Sequence, residues 1–169
     1  HSLGVAPEMI WVKSRTAAEN WNVLVPSIIS GNTGRLTLNE NGAAEGSVQY
    51  YWGDGNNYVA PTTSNFTVST GNAMNGSGNT YIAYLFATLA GISKCGSYTG
   101  NGSYQTISCG FSAGSRFILI KRTDASGDWY FWDSVRGISA GNDPHLSLNS
   151  LAAQVNDDSI DPANAGFIV

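Results

Sequence analysis

The chain has 169 residues and a net charge of −4, and charged side chains make up only 12% of it. No cluster of Lys and Arg stands out, which argues against nucleic-acid binding because neutralising phosphates needs clustered cations. No apolar run approaches the roughly 20 residues of a membrane-spanning helix. The apolar fraction of 42% suffices for a globular core, and the length favours one domain over residues 1–169.

Short apolar segments separated by turn signals run along the chain and predict strands. Residues 8–13 end in a cation and are followed by a polar turn and a second strand that starts at Trp21, which predicts a hairpin. Aromatic and β-branched residues at 81–89 predict a further strand. Residues 116–122 repeat the hairpin pattern, with the second strand starting at Trp129. No stretch predicts a convincing helix, so we expect an all-β antiparallel sandwich or barrel.

The two predicted hairpins belong to a segment that occurs twice. Residues 1–25 resemble residues 109–133. Lys13 and Trp21 in the first segment are as far apart as Lys121 and Trp129 in the second. We predict an internal duplication, with copy one at about 1–90 and copy two at about 109–169, sharing one core. Copy two stops where copy one continues, so we expect the chain to be cut from a longer polypeptide. Residues kept in both copies are expected to hold the fold: Lys13, Lys121, Trp21 and Trp129.

Two cysteines flank a stretch that resembles another hairpin. Its predicted arms are residues 93–96 and 107–110, and an Asn-Gly pair lies near its tip. Cross-strand neighbours can meet disulfide geometry, so Cys95 and Cys109 are a candidate disulfide. The alternative, which we prefer, is that both are small buried hydrophobic residues.

The strongest candidate binding site is the aromatic segment at residues 50–58, which has no counterpart in the second copy. Flat apolar rings beside amides and carboxylates are what a sugar site needs. The alternative, which we prefer, is that the rings of Tyr50, Trp52 and Tyr58 cover the edge of a sandwich. The members of this candidate glycan platform are Tyr50, Trp52, Asp54, Asn56 and Tyr58.

Motifs for catalysis and for metal binding are weak. Ser112 lies in a Gly-x-Ser-x-Gly pattern, but a strand follows where a nucleophile elbow needs a helix, which favours a turn. The carboxylates are scattered, and no alternating pair of the kind a glycanase uses is present. Oxygen ligands for Ca²⁺ are available at Asp54 and among the acidic residues at 157–161, although such residues also form ordinary turns. We predict no enzyme and no cofactor, with a structural Ca²⁺ as the alternative.

Several motifs together resemble a module of tailed-phage virion proteins. They are the Leu-Gly opening at residues 3–15, Gly-Asn-Thr-Tyr-Ile-Ala-Tyr-Leu-Phe-Ala at 78–87, Gly-Ser-Tyr-Thr-Gly-Asn-Gly at 96–102, and Phe-Ile-Leu-Ile-Lys-Arg-Thr-Asp at 117–124. The resemblance implies a concanavalin A-like jelly-roll sandwich and a structural role in a virion, outside the host cell. It carries over no catalytic or binding residue.

The resemblance also implies the partners. We expect other virion proteins, further copies of the chain and a host-surface glycan, in a tail fibre or similar appendage. The alternatives are a capsid decoration protein and a stand-alone domain that binds or cleaves carbohydrate. Paired carboxylates near Trp52 would favour cleavage, a flat aromatic platform would favour binding, and a packed surface would favour a purely structural role.

Overall fold

The computed structural model describes all 169 residues and divides into two compact units. Unit 1 comprises residues 1–87 and 122–127, and unit 2 comprises residues 88–121 and 128–169. Short antiparallel strands build both units, which confirms the predicted all-β antiparallel fold. The jelly-roll topology and the single shared core stay predictions. None of the helices has the length and hydrophobicity that crossing a bilayer requires.

Unit 1 contains one four-stranded sheet with the order β3-β2-β1-β4. Its core covers one face of the sheet, where Ile10 and Leu24 pack against Val48, Trp52 and Met74. Val48, Trp52 and Met74 come from the segments that connect the strands, where short helices form. The strands are β1 (Met9–Ser14), β2 (Asn22–Leu24), β3 (Leu36–Thr37) and β4 (Tyr81–Phe86); the 3₁₀ helices are Pro26–Ile28 and Val48–Tyr50, and helix α1 is Asn72–Asn75.

Unit 2 contains two sheets that pack as a sandwich. The four-stranded sheet has the order β6-β7-β8-β9, and the three-stranded sheet has the order β10-β11-β5. Ile118 and Trp132 of the first sheet share a buried cluster with Ile160 and with Phe167 of the second. The strands are β5 (Thr106–Ser108), β6 (Phe117–Lys121), β7 (Trp129–Asp133), β8 (Asp143–Ser147), β9 (Val155–Asp157), β10 (Asp161–Ala163) and β11 (Gly166–Ile168).

Both predicted hairpins are confirmed, and they share one register. Trp11 of β1 faces Val23 of β2, and the residues at the matching places in the second copy, Leu119 and Phe131, face each other across β6 and β7. A third strand then joins each hairpin on the same side, β3 beside β2 and β8 beside β7. The two segments thus have matching strand pairings, and their origin in a duplication stays a prediction.

The predicted hairpin between the cysteines is wrong. Strand β5 pairs with β11, a strand almost sixty positions further along the chain, and Ile107 faces Phe167 there. Gly166 makes the approach possible, because a Cβ at this position would lie 2.0 Å from the carbonyl oxygen of Ile107. Cys95 and Cys109 are therefore not cross-strand neighbours, and no disulfide joins them in the structure.

Candidate functional site

The structure does not bring the predicted glycan platform at residues 50–58 together as an exposed surface. Trp52 is completely buried and its ring tilts against that of Phe66 at a centroid distance of 6.2 Å. Its indole N–H has no hydrogen-bond partner. The interpretation of Trp52 as a stacking surface is thus corrected, because the connecting segment folds its ring into the core of unit 1.

The polar members of that segment hold a turn. The carboxylate of Asp54 accepts hydrogen bonds from the backbone N–H of Asn57 at 2.7 Å and of Asn56 at 2.8 Å. These two donors hold the pKa of Asp54 below its ordinary value. Gly53 closes the turn, since a Cβ there would lie 2.1 Å from the carbonyl oxygen of Asn57. Asp54 and Asn56 therefore serve as turn residues here.

The two tyrosines of the predicted platform, Tyr50 and Tyr58, differ in exposure. Tyr50 is 56% exposed and lies at the end of a 3₁₀ helix. Tyr58 is half-buried against the core, its hydroxyl has no partner, and burial raises its pKa. One exposed ring beside a turn is a smaller surface than the platform that the sequence predicted.

A different aromatic surface lies on the sheet of unit 1. The rings of Trp21 and Tyr84 stack with a centroid distance of 6.3 Å and an interplanar angle of 23°. Tyr84 projects from β4 and is 44% exposed, and Trp21, directly before β2, is half-buried. Beside them Trp11 and Phe86 form a second ring pair at 4.9 Å. Tyr84 is the exposed ring of the four, and the Trp11–Phe86 pair tilts at 57°, so the flat part of this surface is the stacked Trp21–Tyr84 pair, which we call the sheet-face platform.

Fixed polar groups flank the stacked pair. The side-chain amide of Asn20 donates to the Glu40 carboxylate at 2.6 Å, and that of Asn39 donates to the Asn20 carbonyl oxygen at 2.9 Å. The Asn39 carbonyl oxygen in turn accepts the backbone N–H of Trp21 at 2.8 Å. All three polar side chains belong to exposed residues, so donors and acceptors stand next to the rings in defined directions. This is an arrangement that can stack on a sugar ring and bind its hydroxyl groups.

The second copy repeats the backbone arrangement and not the exposed ring. The N–H of Trp129 donates to the side chain of Asn149 at 2.8 Å, and its carbonyl oxygen accepts from the N–H of Leu148. Trp129 itself is buried. We call this shared device the Trp–Asn clamp: a side-chain oxygen holds the tryptophan N–H and the tryptophan carbonyl accepts from the residue before that Asn. Both tryptophans thus hold their loops through the backbone, and only the ring of Trp129 is buried.

The two repeated lysines lie at matching strand ends and interact with the turns that follow or flank them. The Lys13 ammonium donates to the carbonyl oxygens of Ser14 at 2.7 Å and of Ala17 at 3.5 Å. Lys121 is half-buried, and burial lowers its pKa while Asp128 opposes that change. Both environments favour the structural interpretation of these residues.

Further candidates from the sequence occupy ordinary structural positions. Ser112 lies in an exposed bend, and the chain continues from it into β6 with no helix. The Cys109 thiol is half-buried, and its pKa is raised by burial, with an opposing effect of Lys94. His, Cys, Asp and Glu side chains form no group of three or more that could hold a metal ion.

Asp143 and His145 are two buried polar residues of unit 2 that the sequence pattern did not indicate. Asp143 is fully buried, and its carboxylate accepts the backbone N–H groups of Ser139 at 2.9 Å and of Ile160 at 3.1 Å. His145 lies beside it on β8 with its ring 5.2 Å from that of Trp132, and its Nδ1 is 3.3 Å from the Asp157 carboxylate without hydrogen-bond alignment. Asp143 thus ties two loops to one strand, a role that alternation of apolar residues does not reveal.

Comparison with known proteins places the chain in one family. The model of the family described as Domain of unknown function (DUF7483) matches residues 1–169, so the chain belongs to that family. No curated protein and no solved structure matches it.

Proposed function

We propose that this DUF7483 chain is a non-enzymatic structural module of a phage virion appendage, such as a tail fibre, that lies outside the host cell and contacts a host-surface glycan. Three features support the virion part: the motifs shared with virion modules, the antiparallel all-β architecture and the low content of charge. In this role the module associates with other virion proteins and with copies of itself.

The glycan part rests on one observation, the sheet-face platform. A half-exposed indole stacked on an exposed phenol presents a flat apolar surface, and the network of Asn20, Asn39 and Glu40 presents amide and carboxylate groups beside it. Sugars have apolar ring faces and hydroxyl edges, so they need both kinds of group within one small area. A strand and two clamped loops carry the platform, so it is in place before a ligand arrives.

Binding and cleavage differ in what they require of the carboxylates. Hydrolysis needs two carboxyl groups about 5–10 Å apart that face one glycosidic bond. Around the platform the polar network contains one carboxylate, Glu40, which is already bonded to the Asn20 amide. A network with one carboxylate suits binding better than cleavage.

The test is a glycan array and a host-cell adsorption assay with the wild-type chain, the Tyr84→Ala variant and the matched control Tyr50→Ala. Both substitutions remove one exposed phenol from unit 1, but only the first removes it from the sheet-face platform. We expect binding by the wild type and by Tyr50→Ala, and a loss of about 5- to 150-fold in Tyr84→Ala, since a stacked ring contact is worth about 1–3 kcal/mol.

Two results contradict the glycan part. Loss of binding only in Tyr50→Ala would move the site to the loop segment at residues 50–58. Absence of binding by a folded wild-type chain would leave a purely structural module. The virion part is tested separately, by immunogold labelling of purified particles with an antibody against residues 1–169; unlabelled particles would refute it.

A further inference from the structure

Strand β4 presents an open backbone edge. It is the last strand of its sheet, paired with β1 on one side only. The N–H of Arg15 donates to the carbonyl oxygen of Thr80 at 2.8 Å, in line with the register in which Trp11 faces Tyr84. In an antiparallel pair, residues that bond to the neighbouring strand alternate with residues that do not. Every second residue from Thr80 onward therefore points its N–H and C=O groups towards β1. The residues between them turn their N–H and C=O groups outward: Tyr81, Ala83 and Leu85.

This edge lacks the features that normally prevent pairing. Its sequence, Tyr-Ile-Ala-Tyr-Leu-Phe, has no charge, no Pro and no Gly, and all six residues pair with β1 in unbroken register. Natural sheets protect such edges with Lys, Pro, bulges or a covering segment. Ile82 and Tyr84 are 38% and 44% exposed on one face of the strand. An uncharged edge with two exposed apolar side chains is suited to another strand of the same kind.

We propose that β4 is a dimerisation edge, where the β4 strand of a second copy of this chain pairs with it in antiparallel orientation about a twofold axis at Ala83. In this register Tyr81 lies opposite the partner's Leu85, and the outward backbone groups of each pair satisfy each other. Ile82 lies opposite the partner's Tyr84, and the symmetry repeats that contact. Aromatic and β-branched residues are favourable cross-strand neighbours, and a self-complementary twofold contact is the commonest way to form a dimer.

The other open edge of comparable length suits a second copy less well. Strand β6 ends its sheet, but Arg116 precedes it and Lys121 and Arg122 close it. Antiparallel self-pairing there would bring cations of the two copies opposite each other, which is unfavourable. Charge thus selects β4 as the edge that a second copy occupies.

The dimer deepens the self-association part of the proposed function and does not depend on glycan binding. Antiparallel strands of one sheet keep equivalent faces on the same side. Two sheet-face platforms would therefore lie on one side of a continuous eight-stranded sheet, which is an arrangement for bivalent attachment.

A cysteine at the proposed axis tests the register. Ala83→Cys is introduced into a chain in which Cys95 and Cys109 are replaced by Ser, with Ala60→Cys, also at an exposed position, as matched control. Facing residues of a hydrogen-bonded antiparallel pair have Cα atoms about 5.5 Å apart, within disulfide range. We expect mild oxidation to convert most of the Ala83→Cys chain, and little of the control, into a covalent dimer. Equal cross-linking of both variants, or none of Ala83→Cys, would overturn the proposal.

A charge on the edge tests the contact independently. Ile82→Glu places a carboxylate opposite Lys13 within its own sheet, so the fold is retained, and removes the apolar contact to the second copy. We expect the wild type to sediment as a dimer, Ile82→Glu as a monomer, and the control Val135→Glu, at a 95% exposed position in unit 2, as a dimer. A wild-type monomer, or a dimer that Ile82→Glu leaves intact, contradicts the β4 edge. Glycan binding by the cross-linked chain is scored separately, so its absence counts only against the proposed glycan contact.

Discussion

Replacing Trp52 separates a ligand contact from a core contact. The indole is completely buried among Ile10, Val48 and Met74, so Trp52→Ala removes its largest buried side chain from the core of unit 1. Substitutions of this kind cost about 3–5 kcal/mol. Trp52→Phe keeps most of the apolar contact and deletes an indole N–H that has no partner, whose burial costs about 1–3 kcal/mol. We therefore expect Trp52→Phe to lose only about 1–2 kcal/mol.

Urea unfolding followed by far-UV circular dichroism measures both variants, with Tyr50→Ala as control from the same segment. With a denaturant dependence of about 1–3 kcal/mol per molar urea, Trp52→Ala should lower the midpoint by roughly 1–5 M. The control should stay within about 0.5 kcal/mol of wild type, because Tyr50 is exposed. A Trp52→Ala chain as stable as the control would refute the burial of the ring, and loss of glycan binding at full stability would restore Trp52 as a ligand contact.

Three further predictions concern the backbone. Removing the acceptor of the Trp–Asn clamp should lower the free energy of unfolding more at the half-buried site than at the exposed one. In urea unfolding we expect a loss of about 1–3 kcal/mol for Asn149→Ala and about 0.5–1.5 kcal/mol for Asn39→Ala. Unchanged stability in both variants would contradict the clamp. Gly166→Ala should cost about 3 kcal/mol and speed amide exchange in β5, because the new Cβ meets the Ile107 carbonyl; unchanged exchange argues against the β5–β11 pairing. The folded-state pKa of Asp54 is below its ordinary value of 3.8, so its contribution to stability is complete above pH 3.8 and is lost as the pH falls through the lower folded-state pKa. Asp54→Asn should lack this part of the acid sensitivity. Curves of stability against pH that run parallel for the variant and the wild type would contradict this prediction.

The hairpins could be predicted from the sequence because each is local. An apolar run, a polar turn and a tryptophan lie within about twenty residues, and this pattern occurs at both hairpins. The pairing of β5 with β11 could not, because the segment at 107–110 has a nearer apparent partner at 93–96 and nothing local favours the distant one. The close contact at Gly166 that decides this pairing is visible only in three dimensions.

The burial of Trp52 could not be predicted for a related reason. The aromatic residues at 50–58 do not recur with the period of a strand or a helix. The pattern therefore does not reveal that the ring of Trp52 is the one that turns into the core. Repetition of Trp21 in both copies indicated a scaffold role, which its clamp fulfils. Repetition describes the backbone at that position and not the exposure of the ring, and Tyr84, its stacking partner, lies more than sixty positions away.

The Trp–Asn clamp has an evolutionary consequence. It grips the main chain at position 21 through the N–H and the carbonyl, and it leaves the ring out of the bonding. The backbone geometry at position 21 therefore does not depend on which side chain is attached there. Tryptophan can therefore be exchanged for another ring without rebuilding the sheet, as long as Asn39 is kept. The ring at position 21 can therefore vary while the backbone around it keeps its place in the fold.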